Sequence, residues 1–394
     1  VAAQILAVTA VNLRSIPQRL GNSLVIVIGV AGVVAVLLSA LAMSSGFRRT
    51  IDSDARIDRA IVMTRGAENE AGSALSRANV AAVHAAPGVR RDSSGEPIVS
   101  GEVLLVAPVA RKADGSDANI TLRGVGGKLM SLRPEIKIIA GRMFQPALHE
   151  VLVGQSAQKQ FAGLDIGSQV RLQEGDWTVV GVFSTNGSSR ESELLADAET
   201  VMSAYRENTF NSVTVLLESQ RGFNVFKDAL SVDPTLIVDV RSEPEYLASV
   251  SQSINRLLKL VAYAIGGIMA IGAIFAALNT MYSSISSRAA EIATLRALGF
   301  GSGAVLASVL IEGLLLSAAG GAIGVAIAYF GFNGRAISTL GGAIWDSQLV
   351  YSLTITPSLI GIAVVLACAI GLMGGLLPGM RAARMPVAEA LRSN

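Results

Sequence analysis

Charged and apolar residues are strongly segregated along this chain. Residues 48–245 hold 22 of the 32 basic and 26 of the 30 acidic residues. Outside that stretch, four runs contain no Asp, Glu, Lys or Arg: residues 20–47, 260–287, 313–334 and 347–380. A membrane-spanning helix needs about 20 mainly apolar residues, so each run can hold one. The first run exceeds the length of a signal-peptide core, which predicts an uncleaved anchor.

The charged stretch alternates between two kinds of local pattern. Short β-like runs occur at residues 60–64, 120–125, 151–153, 177–183 and 212–217. Helical patterns occur at residues 79–86, 155–161, 191–206 and 222–230. This alternation predicts an α+β domain of one or two lobes. The fold class is therefore a membrane protein with four transmembrane α-helices and a large α+β extracytoplasmic domain between spans one and two.

Composition supports a membrane location and narrows the classes of partner. The chain is 51% hydrophobic and 16% charged, with a mean hydropathy of +0.52. Soluble proteins carry about 25% charged residues. The formal net charge is only +2, and the sequence has no run of Lys and Arg of the kind that binds a phosphate backbone. We therefore expect membrane lipid, and no nucleic acid, as a partner. A single cysteine, Cys368, excludes an intrachain disulfide.

The basic residues near the spans predict the orientation. Cytoplasmic segments are usually richer in Lys and Arg. With the N-terminus inside, the inner segments hold seven: Arg14, Arg19, Arg288, Arg296, Arg381, Arg384 and Arg392. The short loop between spans three and four holds only Arg335. We therefore expect a multi-pass protein of the inner (cytoplasmic) membrane with both termini in the cytoplasm.

These patterns divide the chain into nine predicted segments. They are a cytoplasmic interfacial helix (1–20), span one (21–47), the periplasmic α+β domain (48–254), span two (255–283), a cytoplasmic helix (284–302), span three (303–331), a short outer loop (332–356), span four (357–380) and a cytoplasmic tail (381–394).

The inner segment between spans two and three has the pattern of a short amphipathic helix. One helical face carries Ile285, Ala289, Ile292 and Leu295, and Arg288 can pair with Glu291 three residues later. Gly299 predicts the end of the helix, and Ser302 is the expected N-cap of the next one. Such a helix either lies on lipid or docks in a groove of a cytosolic partner.

Two further features lie in the apolar runs. Glu312 is the one acidic residue flanked by long apolar stretches, so it is a candidate proton relay or, more simply, a carboxylate near the inner interface. Four glycines are spaced in pairs four residues apart, Gly320 with Gly324 and Gly371 with Gly375. This spacing predicts close helix packing, either between spans three and four or with a second copy.

Motifs for chemistry are missing from the sequence. No phosphate-binding G-x-x-x-x-G-K-[ST] loop occurs, and the stretch "GVGGKLM" at residues 124–130 lacks its Ser/Thr. The two histidines, His84 and His149, have no metal-ligand pattern beside them, and no G-x-S-x-G elbow is present. We expect no catalytic residue, no metal site and no cofactor in this chain.

Several longer stretches resemble the MacB/FtsX-type permeases of ABC transporters, of the type VII superfamily. The stretch "SRAAEIATLRALGFGSGAVLASVLIEGLLLSAAGGAIG" (287–324) looks like the segment of that family between its second and third spans. In the charged domain, "AGRMF" (140–144), "HEVLVGQSAQKQF" (149–161), "GLDIGSQVRL" (163–172) and "WTVVGVF" (177–183) resemble the MacB-like periplasmic domain. The stretches "AVNLRSIPQRLGNSLVIVIGVAGVVAVL" (10–37) and "LLPGMRAARMPVAEALRSN" (376–394) resemble the family's beginning and ending.

The resemblance implies a division of labour. Two copies of a separate cytosolic ATPase would bind ATP and Mg and act on two permease copies, in a homodimer or a heterodimer with a paralogue. The amphipathic helix would be the coupling helix on that ATPase, with Arg288, Glu291, Ile292, Leu295, Arg296, Ala297 and Gly299 in the contact segment. Motion would pass through helices that continue into the periplasmic domain, by mechanotransmission.

Three functions share this plan. The first is export of a hydrophobic or peptide-like substrate, with a periplasmic adaptor and an outer-membrane channel as partners; the MacB-like stretches favour it. The second is lipoprotein release by a Lol-type permease. The third is an FtsX-like signalling scaffold that activates cell-wall hydrolases.

Overall fold

The computed structural model describes residues 20–53, 55–173, 175–233, 236–339 and 348–385, together with residues 4, 8 and 9. The predicted interfacial helix therefore lies almost wholly, and the tail beyond residue 385 wholly, outside the described residues. Two compact units are present. The helical unit comprises Val1–Gly46, Asn255–Arg335 and Leu353–Asn394, and the sheet unit comprises Phe47–Ile254 and Ala336–Ser352.

Ten α-helices are found in the described part of the chain. In chain order they are α1 (Leu20–Asp52), α2 (Arg77–Ala85), α3 (Leu129–Leu132), α4 (Gln155–Gln160), α5 (Ala198–Tyr205), α6 (Gln220–Val232), α7 (Glu243–Ser286), α8 (Ala289–Ala297), α9 (Ser302–Phe332) and α10 (Pro357–Arg384).

Twelve β-strands complete the described elements. They are β1 (Arg59–Thr64), β2 (Val99–Ala110), β3 (Asp117–Val125), β4 (Lys137–Gly141), β5 (Glu150–Gly154), β6 (Gln169–Leu172), β7 (Gly175–Ser184), β8 (Glu193–Asp197), β9 (Ser212–Leu216), β10 (Val238–Ser242), β11 (Ala336–Ser338) and β12 (Val350–Ser352).

Four of the described helices are long and apolar enough to cross a membrane: α1, α7, α9 and α10. Each contains one of the four predicted spans, and α1 and α7 are longer than predicted. Helix α7 begins twelve residues before the predicted start of span two at residue 255, and its residues 243–254 belong to the sheet unit. The predicted 284–302 helix is shorter than expected, because only α8 within it is a separate helix.

Local chemistry explains two of these helix ends. Gly299, just after α8, has a φ of +94°, a conformation that glycine adopts without steric cost. Pro357 opens α10, where the missing N–H has no helical acceptor to lose. The prediction that Ser302 caps α9 is wrong, because Gly301 occupies the cap position and Ser302 is already the first helical residue.

The sheet unit is built on one ten-stranded mixed sheet rather than two lobes. The strand order is β10-β1-β9-β2-β3-β8-β5-β7-β4, and β6 pairs with β7. Most neighbours are antiparallel, whereas β3 with β8 and β5 with β7 are parallel. The largest apolar cluster lies on this sheet and includes Phe161, Trp177 and Phe226, all fully buried.

The sequence prediction of one helix over residues 191–206 is wrong in its first half. Strand β8 occupies Glu193–Asp197, and helix α5 follows from Ala198. Asp197 is both the last residue of β8 and the N-cap of α5, because its carboxylate accepts a hydrogen bond from the backbone N–H of Thr200. Leu194 and Leu195 are both fully buried, so this strand is covered on both faces.

The predicted outer loop 332–356 contains one short strand in each of its two described parts, 332–339 and 348–356. Strands β11 and β12 pair as an antiparallel hairpin. The hairpin belongs to the sheet unit, where the Val350 N–H donates to Ser192 Oγ at 2.8 Å and the Gln348 N–H donates to Asn119 O at 2.7 Å. The ring of Tyr351 meets that of Phe47 edge to face, with centroids 5.7 Å apart.

Candidate functional site

Helix α8 packs one face inside the helical unit and leaves the other open. Ile292 is buried in an apolar cluster with Ile285, Val305, Val309 and Ala382, from α7, α9 and α10. Ala293 is also buried, and Ala289 and Leu295 are half-buried. Glu291, Thr294 and Ala297 are exposed, as is Leu298 just after the helix, at 73%. The open face is therefore available to a partner while the packed face holds the helix in place.

Charged residues add three polar contacts around α8. Arg288, in the turn before α8, is only 5% exposed and reaches Glu291 Oε2 through Nε and Glu312 Oε2 through Nη1, both at 3.4 Å. The Nη1 group of Arg296 donates to the backbone oxygen of Met385, after the end of α10. The predicted Arg288–Glu291 pair is present, and the pair with Glu312 was not predicted.

The four glycines lie at helix contacts within the chain, but not all where expected. A Cβ atom on Gly320 or Gly324 would stand 2.6 Å from a backbone oxygen of α1, that of Val27 or Ala31. A Cβ on Gly371 would stand 2.7 Å from Gly313 O of α9, and one on Gly375 would stand at an ordinary 3.5 Å from Val309 O. Helices α9 and α10 therefore meet at the second pair, whereas the first pair faces α1.

The sheet unit contains a buried ionic cluster centred on Arg123. Its guanidinium contacts the carboxylates of Glu70 at 3.1 Å, Glu102 at 2.7 Å and Glu193 at 2.7 Å. Arg190 lies 3.8 Å from Glu102 and 3.6 Å from Glu193. We call these five residues the Arg123 cluster. Burial of several charges is costly unless each is paired, and here each carboxylate faces a guanidinium.

Two carboxylates of the Arg123 cluster, Glu70 and Glu102, have lowered pKa values. Burial alone would raise the pKa of Glu102, but Arg123 and Arg190 outweigh burial and lower it to about 2. Burial likewise favours a higher pKa for Glu70, but the charge of Arg123 outweighs burial and lowers the pKa of Glu70 below its ordinary value. These carboxylates do not exchange protons near neutral pH, which suits a structural role better than general acid–base catalysis.

A second ionic group holds the beginning of α7. Glu243, the first residue of α7, is buried and lies 3.0 Å from Arg59 Nε of β1 and 2.9 Å from Arg133 Nη1 after α3. Glu135 also pairs with Arg59, at 2.6 Å. One turn later, the hydroxyl of Tyr246 accepts a hydrogen bond from the backbone N–H of Glu70. The first turns of α7 are thus fixed to the sheet unit.

A cavity of about 230 Å³ lies beside both ionic groups in the sheet unit. Apolar side chains form one part of its wall, among them Leu104, Val106, Leu247 and Leu349. Arg123, Arg190 and Glu193 form the polar part. Within the described residues, no group of three or more His, Cys, Asp and Glu side chains is placed to hold a metal ion.

Comparison with known protein families identifies the two parts of the chain. Residues 20–231 match the model of the MacB-like periplasmic core domain, and residues 263–387 match that of the FtsX-like permease C-terminal domain. The chain belongs to the MacB/FtsX-type ABC transporter permeases. The resemblance inferred from the sequence is therefore confirmed.

Relatives of this permease are similar at low identity. The macrolide export ATP-binding/permease protein MacB of Azoarcus sp. (strain BH72) is 25% identical over 98% of the chain, and that of Hahella chejuensis (strain KCTC 2396) is 27% identical over 98%. The chain spans 59% and 58% of the length of these two relatives. An uncharacterized ABC transporter permease of Bacillus subtilis (strain 168), YknZ, is 25% identical over 70% of each chain.

Two solved structures align with part of the permease. The periplasmic region of MacB from Actinobacillus actinomycetemcomitans covers 50% of this chain and 92% of its own, at 15% identity and a TM-score of 0.38. The extracellular domain of the noncanonic ABC-type transporter YknZ from Gram-positive bacteria covers 46% of this chain and 99% of its own, at 14% identity and a TM-score of 0.35.

Proposed function

We propose that this permease couples ATP hydrolysis by a separate cytosolic ATPase to movement of its sheet unit, and that this movement drives export of a hydrophobic or peptide-like substrate. ATP and Mg are bound by the ATPase, and this chain supplies no catalytic group. The sheet unit is periplasmic, both termini are cytoplasmic, and the helical unit spans the inner membrane as α1, α7, α9 and α10.

The observation that carries this proposal is the divided surface of α8. Its packed face meets α7, α9 and α10 in one apolar cluster, so a force on α8 reaches three of the four long helices. Its open face presents Glu291, Thr294 and Ala297. A short helix with one packed and one free face is suited to docking in a groove of a partner. We assign this face to the ATPase contact.

Movement leaves the membrane through α7 in this proposal. The helix is 44 residues long, which corresponds to about 66 Å at 1.5 Å per residue. Its first turns are held to the sheet unit by the ion pairs of Glu243 with Arg59 and Arg133. A displacement of α7 therefore acts on β1 and on the segment after α3. No conduction pathway through the helices is needed.

Two permease copies act together in this proposal, as a homodimer or with a paralogue. A periplasmic adaptor and an outer-membrane channel receive the substrate. The names of the MacB relatives, macrolide export proteins, support export over lipoprotein release and over hydrolase activation.

Purification of the tagged permease from its native membrane tests the proposal. We expect an ABC ATPase to copurify, together with an adaptor protein. Recovery with a cell-wall hydrolase or with a lipoprotein carrier would replace export by one of the two other functions. Recovery without any ATPase, under conditions in which the permease stays folded, would refute the proposal.

A further inference from the structure

Glu312 is a charged residue in an apolar helix. It is the one charged residue within α9, and it is only 7% exposed. An ionised carboxylate in such surroundings is costly unless an opposite charge lies beside it. The guanidinium of Arg288 supplies that charge, with Nη1 at 3.4 Å from Glu312 Oε2.

Arg288 occupies the junction between α7 and α8. Its backbone N–H donates to Ile285 O in the last turn of α7 at 3.1 Å, and its backbone oxygen accepts from the Ile292 N–H at 3.0 Å, which begins α8. The side chain then reaches α9 through Glu312. Arg288 therefore touches the end of α7 and the start of α8 through its backbone and the third turn of α9 through its side chain.

The two carboxylate partners of Arg288 differ in burial. Both lie 3.4 Å from the guanidinium, but the Glu291 side chain is 62% exposed and that of Glu312 is 9% exposed. Exposed pairs contribute little because water and salt screen them. A buried pair is screened less, so loss of Glu312 weakens the hold on Arg288 more than loss of Glu291 does. Glu312 therefore dominates the position of Arg288.

We propose that the Arg288–Glu312 ion pair is the joint that sets the position of α8 against α9, and that Glu312 is a positioning residue for coupling rather than a proton relay. This inference rests on the assignment of α8 as the ATPase contact. Without the pair, α8 keeps the apolar contacts of Ile292 but loses the contact that ties its first turn to α9. The open face of α8 can then move relative to α7, α9 and α10, so a force on α8 is transmitted to them less effectively.

Backbone amide exchange on the permease alone tests the positioning, in nanodiscs and without any ATPase. The variants are Glu312→Gln, Arg288→Gln and the double variant, and the matched control is Glu291→Gln, which removes the exposed partner of the same guanidinium. We expect amides of residues 289–297 to exchange about tenfold faster in Glu312→Gln, which corresponds to about 1.4 kcal/mol. The control is expected to match the wild type.

The double variant separates a specific pair from general damage. If the two residues act through each other, Arg288→Gln combined with Glu312→Gln exchanges no faster than the worse single variant. Additive effects of the two substitutions, or unchanged exchange in Glu312→Gln, would refute the positioning role of the Arg288–Glu312 pair. With the copurified ATPase, Glu312→Gln is expected to keep the ATPase bound while ATP hydrolysis by the complex in nanodiscs falls. If the variants show the expected faster exchange but no ATPase contacts the permease, the proposed function is refuted and the role of the Arg288–Glu312 pair still holds.

Discussion

Removal of the guanidinium at the centre of the Arg123 cluster is the sharpest perturbation of the sheet unit. In Arg123→Met, the side chain keeps much of its apolar length, but Glu70, Glu102 and Glu193 lose their closest cation. The three ion-pair distances are 3.1, 2.7 and 2.7 Å, and the Arg123 side chain is 5% exposed. Breaking one partner from a buried pair costs about 3–5 kcal/mol.

The expected loss is measurable as a melting temperature. For a domain of this size, each kcal/mol shifts Tm by about 2–4 °C, so a loss of about 3–5 kcal/mol is expected to lower the Tm of Arg123→Met by about 6–20 °C at pH 7. Fluorescence of the fully buried Trp177 reports on the sheet unit, with Trp345→Phe as the common background because the chain has two tryptophans.

The control variant is Arg77→Met, which breaks a pair of similar length in the same unit. Arg77 and Glu199 are 2.6 Å apart, but their side chains are 61% and 59% exposed. An exposed pair contributes about 0–1 kcal/mol, so the expected shift is at most about 4 °C. The difference in Tm between the wild type and Arg123→Met is also expected to become smaller as the pH falls, because protonation removes the charge of the uncompensated carboxylates. Equal shifts in the two variants, or a deficit independent of pH, would refute this explanation.

Two further predictions concern helix packing and acid stability. Gly371→Ala is expected to destabilise the helical unit by about 1–3 kcal/mol by overpacking, because its Cβ would lie 2.7 Å from Gly313 O. The control is Gly361→Ala in the same helix, where a Cβ meets nothing within 4 Å. Thermal unfolding in detergent compares the two variants, and equal losses of stability would contradict the contact. The pKa of Glu102 is lowered from 4.5 to about 2 in the folded state, so its stabilising effect is complete above about pH 4.5 and is lost as the pH falls towards 2. The loss is on the order of 3 kcal/mol, measured by denaturant unfolding from pH 6 to 2, and a flat profile would contradict the lowered pKa.

The sequence was most informative where one physical requirement dominates. A helix in lipid needs a long stretch without charge, so the four charge-free runs identified α1, α7, α9 and α10 directly. The glycine after α8 was equally readable, because a φ of +94° at Gly299 is costly for other residues. Both features depend on neighbours along the chain.

Features that depend on sheet pairing were not readable from the sequence. The members of the Arg123 cluster come from four separate stretches of the chain, because Arg190 and Glu193 are only three residues apart, and they meet because β2, β3 and β8 are adjacent in the sheet. The sequence predicts helix over β8 because Leu194 to Ala196 lie among good helix formers, and burial between β3 and β5 overrides that local preference. The Arg288–Glu312 pair, 24 residues apart, likewise required the fold of α7 to α9.

Photo-crosslinking from the open face of α8 shows whether that face contacts an ATPase, on which the proposed function depends. A photoreactive residue in place of exposed Thr294 is compared with one at Val232, which is 81% exposed in the sheet unit. We predict that Thr294 gives a crosslink to an ABC ATPase, identified by mass spectrometry, in intact cells and that Val232 does not. Crosslinks from Thr294 to lipid or to periplasmic proteins alone would contradict the claim.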